Sequence, residues 1–155
     1  MFPIPWYVAA FESIPEGFLI VLLSLKLMKQ KELVYSKIAA ISIIYGVIAY
    51  TIRNMNAYFY GTIPPYLHTV LLLVALAILM KYICKAHFQA AFISVFIVFV
   101  IFGLVQYILV LMLAEIFKIN YNTFYKFPWM NVIFFIPVAA ITFFIIHFYS
   151  INQGV

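Results

Sequence analysis

The sequence predicts an all-α integral membrane protein, a bundle of about five transmembrane helices with its N-terminus outside and its C-terminus in the cytoplasm. Of its 155 residues, 68% are hydrophobic and 8% are charged, and the mean hydropathy is +1.17. Soluble domains are closer to half apolar and a quarter charged. A chain of this length cannot bury so much apolar surface in its own core, so we expect lipid to cover the remainder.

Five stretches are long and apolar enough to be spans, because a bilayer core of ~30 Å requires roughly 20 apolar residues per helix. They cover residues 4–27, 38–53, 65–84, 88–113 and 128–149. The second is short unless it extends through Arg53. Every loop is short, so residues 1–155 form a single transmembrane helical domain.

The lysines and arginines predict the orientation. Six of them flank the first and third loops and three flank the other side, which places the first and third loops in the cytoplasm. The six are Lys26, Lys29, Lys31, Lys37, Lys81 and Lys85, and the three are Arg53, Lys118 and Lys126. Aromatic side chains favour the headgroup level and mark the outer ends of the spans: Tyr58, Tyr60, Tyr66, Tyr121, Tyr125 and Trp129.

The first span carries two carboxylates, Glu12 and Glu16, in the segment Glu12-Ser-Ile-Pro-Glu16. An ionised group at the bilayer centre costs ~2.5–3.5 kcal/mol on insertion scales, so such residues are functional candidates. Pro15 disrupts the helix one turn back, and Ser13-x-x-Glu16 is typical of a capping box. The span is therefore either one kinked helix, which we favour, or a segment before Ser13 followed by a half-helix.

Polar groups on different spans fall at one height when ~1.5 Å per residue is counted from the cytoplasmic lysines. Glu12, Arg53, His68 and Asn131 share a level in the outer half, with Gln106 slightly above it and Glu16 slightly below. One interpretation is structural: an ion pair between Glu12 and Arg53, with interhelical hydrogen bonds to the others. The other is a polar pocket that opens outward and binds a ligand or a proton. The two interpretations are compatible.

Other chemical signals are weaker. Cys84-x-x-His87 allows a cysteine–histidine nucleophile, although a cysteine and a histidine are ordinary residues at the end of a span. The sequence contains no phosphate-binding loop, zinc-binding histidine pair or serine elbow. We expect no cofactor and no metal, and the basic residues form no clustered face that would bind nucleic acid.

Residues 11–80 resemble the N-terminal membrane module of sensor histidine kinases from Gram-positive bacteria, related to the sporulation and quorum-sensing kinases. The resemblance rests on Glu12-Ser-Ile-Pro-Glu16, on Arg53 closing the second span, and on a proline-led third span with His68-Thr69 and Leu71-Leu72-Leu73. It implies a module that senses a signal and passes it to a cytoplasmic part. No ATP-binding box follows the last span, so we expect no kinase activity from this chain.

The sequence thus predicts a non-enzymatic multi-pass sensor or accessory module of the cell membrane. Its partners would be the lipid bilayer, a cytoplasmic or membrane signalling protein, and a small ligand or proton from the outer side. The first alternative is a small transporter, or transporter subunit, coupled to protons or cations through the glutamates. The second is an intramembrane enzyme that uses Cys84 and His87.

Overall fold

The computed structural model describes residues 5–30, 33–58, 65–118 and 127–152. Within these ranges the chain forms five long helices and no strand, which confirms the all-helical prediction. The helices are α1 (Trp6–Leu27), α2 (Tyr35–Tyr58), α3 (Pro65–Ile83), α4 (Phe88–Ile116) and α5 (Trp129–Asn152). Several predicted loop and rim positions lie outside the described residues: Lys31, Tyr60, Tyr121, Tyr125, Lys126 and the side chains of Tyr58 and Tyr66.

Four of these helices are long and apolar enough to cross a membrane: Trp6–Leu27, Tyr35–Met55, Phe88–Ile116 and Trp129–Ile146. The apolar part of α3, Leu67–Ile83, is shorter. The second helix begins before the predicted residue 38 and continues beyond Arg53, so it is not the short span that its hydropathy suggested. These helices indicate a membrane-embedded protein by their length and composition.

The first helix is continuous, as the sequence favoured, but it contains a π-helical turn at Ala9–Ser13. In this turn the N–H of Ile14 donates to the carbonyl of Ala9, five residues back. The wide turn immediately precedes Pro15, whose ring clashes with the preceding helical turn and whose nitrogen has no hydrogen to donate. We attribute the π turn to this proline, since such turns are one way in which a helix accommodates a local disruption.

The capping box of the half-helix alternative does not form. The Ser13 hydroxyl is buried without a hydrogen-bond partner, and Ser13 makes no side-chain cap. The physical reason is that the helix continues through Ser13, so the backbone N–H groups that a cap would satisfy are already bonded within the helix.

Helix α1 occupies the centre of the bundle. It packs against α2, α4 and α5, whereas α3 packs against α2 and α4. Of its apolar window 67% is buried, against 17% for that of α4, which is the most apolar of the spans. In a water-soluble bundle the most apolar helix would be the most buried, so this distribution fits a lipid surround.

Two glycines bring α1 and α2 into close contact. A Cβ added at Gly17 on α1 would lie 2.5 Å from Cδ1 of Tyr45, and one added at Gly46 on α2 would overlap the side chain of Ile14. Each glycine thus receives a large side chain from the opposite helix. Small residues at such contacts let helix backbones approach closely in membranes.

Candidate functional site: a polar cavity between four helices

A cavity of about 210 Å³ lies between the first four helices. Each helix contributes one predicted site residue to its lining: Glu16 from α1, Arg53 from α2, His68 from α3 and Gln106 from α4. The remaining lining residues are Tyr45, Thr69, Leu72, Phe99, Phe102 and Gly103. Four of the six predicted site residues therefore meet at one place.

The packing of α3 explains the space. This helix packs against α2 and α4 rather than against the central α1, so a gap remains where the polar side chains of the four helices converge. Gly103 keeps one wall open, because a Cβ added there would meet no atom within 4 Å. The site is thus a consequence of how α2, α3 and α4 are arranged relative to α1.

Arg53 is the electrostatic centre of the site. Its positive charge acts on Glu12, Glu16 and His68. Its Nε atom is nevertheless buried without a hydrogen-bond partner. Among the described residues, none accepts a hydrogen bond from this Nε atom.

Two other buried polar atoms of this region have no hydrogen-bond partner among the residues that the structure describes. They are Nε2 of His68, a side chain that is 4% exposed, and Oε2 of Glu12, which is 6% exposed. A buried polar group left unpaired costs roughly 1–3 kcal/mol. Such groups are rare and mark places where water, an ion or a ligand supplies the missing bonds.

Glu12 and Asn131 do not line the cavity, although the sequence placed them at its height. Glu12 is buried on α1, about one helical turn from Glu16, and stays within the electrostatic reach of Arg53. Asn131 lies on α5, where its side-chain amide donates to the carbonyl of Pro128 at 3.2 Å. The cavity is formed by α1 to α4, and α5 is not part of it.

Tyr45 was not singled out from the sequence, and Thr69 was noted only as part of the motif His68-Thr69, yet both line the cavity. Tyr45 is 1% exposed, and its ring packs on Gly17. The sequence signal for Tyr45 is a phenol in the middle of an apolar span. This signal is weak because the chain has 12 tyrosines. Thr69 follows His68 directly and is easily taken for lipid-facing filler.

Aromatic side chains join α1 to α5 near the carboxylates. Tyr7 stacks on Trp129 with ring centroids 4.6 Å apart and planes at 15°, and Phe11 lies 6.0 Å from the same indole. Trp129 was expected at the outer rim, and the structure adds its partners from α1. The end of α1 that carries Glu12 is thereby attached to the last helix.

Cys84 and His87, the residues of the proposed cysteine chemistry, lie at the other end of the bundle. Cys84 is half-buried, and burial raises the pKa of its thiol while the charge of Lys37 lowers it. His87 is exposed and precedes α4 without making a side-chain cap. An activated nucleophilic thiol requires a lowered pKa, the opposite of the net direction at Cys84.

A comparison with protein-family models found none that matches this chain, and no curated protein or solved structure matches it either. The chemistry of the cavity therefore has to be considered from its own residues. It offers a carboxylate, a guanidinium, an imidazole, an amide and two hydroxyls, with phenylalanine rings on one wall. Such a set can hold a small polar molecule or exchange a proton.

Proposed function

We propose that this protein is a non-enzymatic membrane sensor or accessory subunit that binds a small polar ligand or a proton in the cavity and signals to a partner protein. One observation carries the proposal: Glu16, Arg53, His68 and Gln106 converge from four helices on one cavity. Arg53 Nε and His68 Nε2 lack a hydrogen-bond partner there. A purely structural cluster would be expected to satisfy these atoms internally.

The size of the cavity limits the ligand. Its volume of about 210 Å³ corresponds to roughly seven water molecules at ~30 Å³ each. Pockets for drug-sized ligands usually exceed about 300 Å³. The ligand class that fits is therefore a molecule of a few heavy atoms with an anionic or hydrogen-bonding part for Arg53, or a proton carried by water.

The central position of α1 supports a route for the signal. A ligand that alters the surroundings of Glu16 acts on the helix that packs against α2, α4 and α5. Helix shifts of about 1–2 Å are a common way to transmit such changes. The π turn beside Pro15 is a place where the hydrogen-bond pattern of α1 can change without breaking the helix.

The topology that we propose has five spans, with the N-terminus outside. Helix α3 has 19 residues, or ~28 Å at 1.5 Å per residue, close to the ~30 Å of a bilayer core. It starts near the cavity and ends near the lysines of the first and third loops. The positive-inside rule then assigns the lysine-rich end to the cytoplasm.

The proposal is tested with the full chain in lipid nanodiscs, using Trp129 fluorescence in a Trp6→Phe background as the readout, because the chain has two tryptophans. The probes are glycine, acetate, inorganic phosphate and a titration between about pH 5 and pH 9. We expect at least one probe to change the emission, and Glu16→Gln and Arg53→Gln to abolish that change. The matched control is Glu115→Gln, which neutralises an exposed carboxylate at the end of α4 and should respond like the wild type.

A space-filling variant tests whether the open cavity is needed for binding without changing any charge. Gly103→Phe introduces a ring at a position where an added Cβ meets no atom, and it leaves every ionisable group in place. We expect it to remove the response to solutes. The sensor proposal fails if no probe changes the emission, or if Glu115→Gln and Glu16→Gln lose the response equally.

A transporter coupled to protons or cations is the second candidate. The observation that favours it is the position of both carboxylates beside a π turn and a proline in the central helix, since irregular helices often form ion sites in transporters. Proteoliposomes with an imposed pH gradient distinguish the two functions. Solute or cation uptake that is abolished by Glu16→Gln and retained by Glu115→Gln would overturn the sensor proposal.

A further inference from the structure

A second cavity lies at the opposite, lysine-rich end of the bundle, where α1 and α3 end and α2 and α4 begin. Its volume is about 120 Å³, and five residues line it: Leu25, Gln30, Val34, Lys37 and Cys84. They come from the end of α1, the start of α2 and the residue after α3. None of them belongs to the polar cavity described above.

Gln30 presents an unpaired acceptor at this cavity. Its side-chain amide donates from Nε2 to the carbonyl of Cys84 at 3.3 Å, while its Oε1 is buried without a hydrogen-bond partner. The backbone holds Gln30 in place, because Lys29 adopts a left-handed conformation (φ 53°) and the N–H of Gln30 donates to the carbonyl of Leu25. This is the usual closing pattern at a helix C-terminus.

Lys37 supplies the positive charge of the cavity. It lies in the first turn of α2, and its charge reaches the thiol of Cys84. The start of α2 adds the partial positive charge of a helix N-terminus. Lys37 is itself exposed, so a ligand can reach it from outside the bundle.

Other lysines lie at the same end of the bundle and give this end a positive potential. Lys26 donates to the carbonyl of Ile146 at 3.4 Å, and Lys81 lies over the rings of Tyr82 and Phe88. The acidic residues in the described ranges all lie toward the other end of the bundle: Glu12, Glu16 and Glu115. Glu32, in the loop between α1 and α2, lies outside the described residues.

We propose that this cavity binds a phosphodiester group, the head group of an anionic phospholipid, with Lys37 on the phosphate and Gln30 Oε1 accepting a hydrogen bond from a head-group hydroxyl. The helix ends around the cavity lie at the depth of the headgroups when the helices span a bilayer. A phosphate satisfies Lys37, and a hydroxyl donor satisfies the orphaned acceptor of Gln30. A phosphoglycerol head group carries both groups, and the proposal is independent of the function of the polar cavity.

The first test compares binding to the wild type and to Lys37→Gln. The purified chain, in micelles doped with phosphatidylglycerol or supplemented with inorganic phosphate, is analysed by native mass spectrometry. We expect Lys37→Gln to weaken phosphatidylglycerol binding about tenfold or more, as for loss of a charged hydrogen bond. The matched control Lys81→Gln removes the same charge at the same end without touching the cavity, and it should weaken binding only severalfold.

The two sources of phosphate are distinguished by the same samples. Binding of phosphatidylglycerol that depends on Lys37 assigns the site to a lipid, whereas Lys37-dependent binding of inorganic phosphate assigns it to the free ion. Equal losses in Lys37→Gln and Lys81→Gln would mean attraction to the whole basic surface, and the proposed site would then be wrong. Thermal melting of each variant shows that it is folded.

The second test examines the role of Gln30 with two lipids of equal charge. Phosphatidylglycerol has head-group hydroxyls, whereas phosphatidylmethanol has none. We expect the wild type to prefer phosphatidylglycerol and Gln30→Met to lose that preference. A wild type that binds both lipids equally contradicts the assigned hydrogen bond.

Discussion

Arg53 connects most of the polar groups within the bundle. It lies near the C-terminal end of α2, lines the cavity, and acts electrostatically on residues of both α1 and α3. A ligand that supplies an acceptor to its buried Nε competes directly with the carboxylates for this charge.

Cys84 gives a prediction about a single thiol, because it is the only cysteine of the chain. The thiolate is the form that reacts with maleimides, and Lys37 lowers the pKa of Cys84 while burial raises it. Lys37→Gln removes the lowering effect, so the pKa rises further and less thiolate is present at any given pH. We expect the rate–pH profile of maleimide labelling to shift to higher pH.

The control for this experiment is Lys81→Gln, because Lys81 is not among the groups that shift the pKa of the Cys84 thiol. Its profile should coincide with that of the wild type. An unchanged or accelerated reaction in Lys37→Gln would show that the lysine does not act on Cys84. Labelling after denaturation, where both variants should react alike, verifies that the difference arises from the folded state.

At the scale of the elements, α1 determines how the bundle is built. It is the central helix, it carries both intramembrane carboxylates, and it contains the π turn that accommodates Pro15. Its contact with α2 depends on the reciprocal insertion of Tyr45 against Gly17 and of Ile14 against Gly46. The position of Glu16, next to Gly17, is therefore tied to the spacing of these two helices.

Adding one methyl group to either glycine tests this contact. Gly17→Ala and Gly46→Ala force a Cβ into the side chains of Tyr45 and Ile14 on the opposite helix, and overpacking of this kind costs about 1–3 kcal/mol. We expect both variants to have a lower free energy of unfolding in detergent titrations. Tyr45 is fully buried, so its ring has little room to move away.

Gly103→Ala is the matched control, because its added Cβ meets no atom within 4 Å. In a helix interior, glycine is about 0.5–1 kcal/mol less favourable than alanine, so this variant should be neutral or more stable. If all three variants unfold alike, the glycines of α1 and α2 have no packing role. A loss confined to Gly17→Ala and Gly46→Ala supports the contact described here.

The helices could be located from the sequence, because an apolar stretch of sufficient length has a direct physical meaning in a bilayer. The heights of the polar residues also follow from the fixed rise per residue, and Glu16, Arg53, His68 and Gln106 do meet. Asn131 was included because height carries no information about direction around the helix axis. Because helix boundaries read from sequence are uncertain by two to four residues, the side of the helix on which a residue lies cannot be read from the sequence. Hydropathy also does not indicate which helix is central.

At the scale of the whole molecule, polarity decreases from the centre outward. The helix with both intramembrane carboxylates is the most buried span, and the most apolar helix is the most exposed. Large apolar side chains of α4, such as Ile93, Phe96 and Leu104, face outward. This arrangement suits a molecule surrounded by hydrocarbon, where the surface is the most apolar part.

The proposed orientation is testable with the natural cysteine. Cys84 lies at the lysine-rich end, which the proposed topology assigns to the cytoplasm. A membrane-impermeant maleimide should therefore leave it unlabelled in intact cells and label it after permeabilisation. Labelling of intact cells would reverse the orientation, and a cysteine introduced in place of Tyr7, near the opposite end in a Cys84→Ser background, should give the complementary pattern.

The central position of α1 also has a consequence for biosynthesis. The N-terminal helix leaves the ribosome first. A charged side chain at the bilayer centre opposes insertion by ~2.5–3.5 kcal/mol, so both glutamates make the insertion of this helix less favourable. The guanidinium, imidazole and amide groups that surround Glu16 in the finished bundle belong to helices that are synthesised later. We therefore expect the first helix to enter the lipid more readily together with α2, which carries Arg53, than alone.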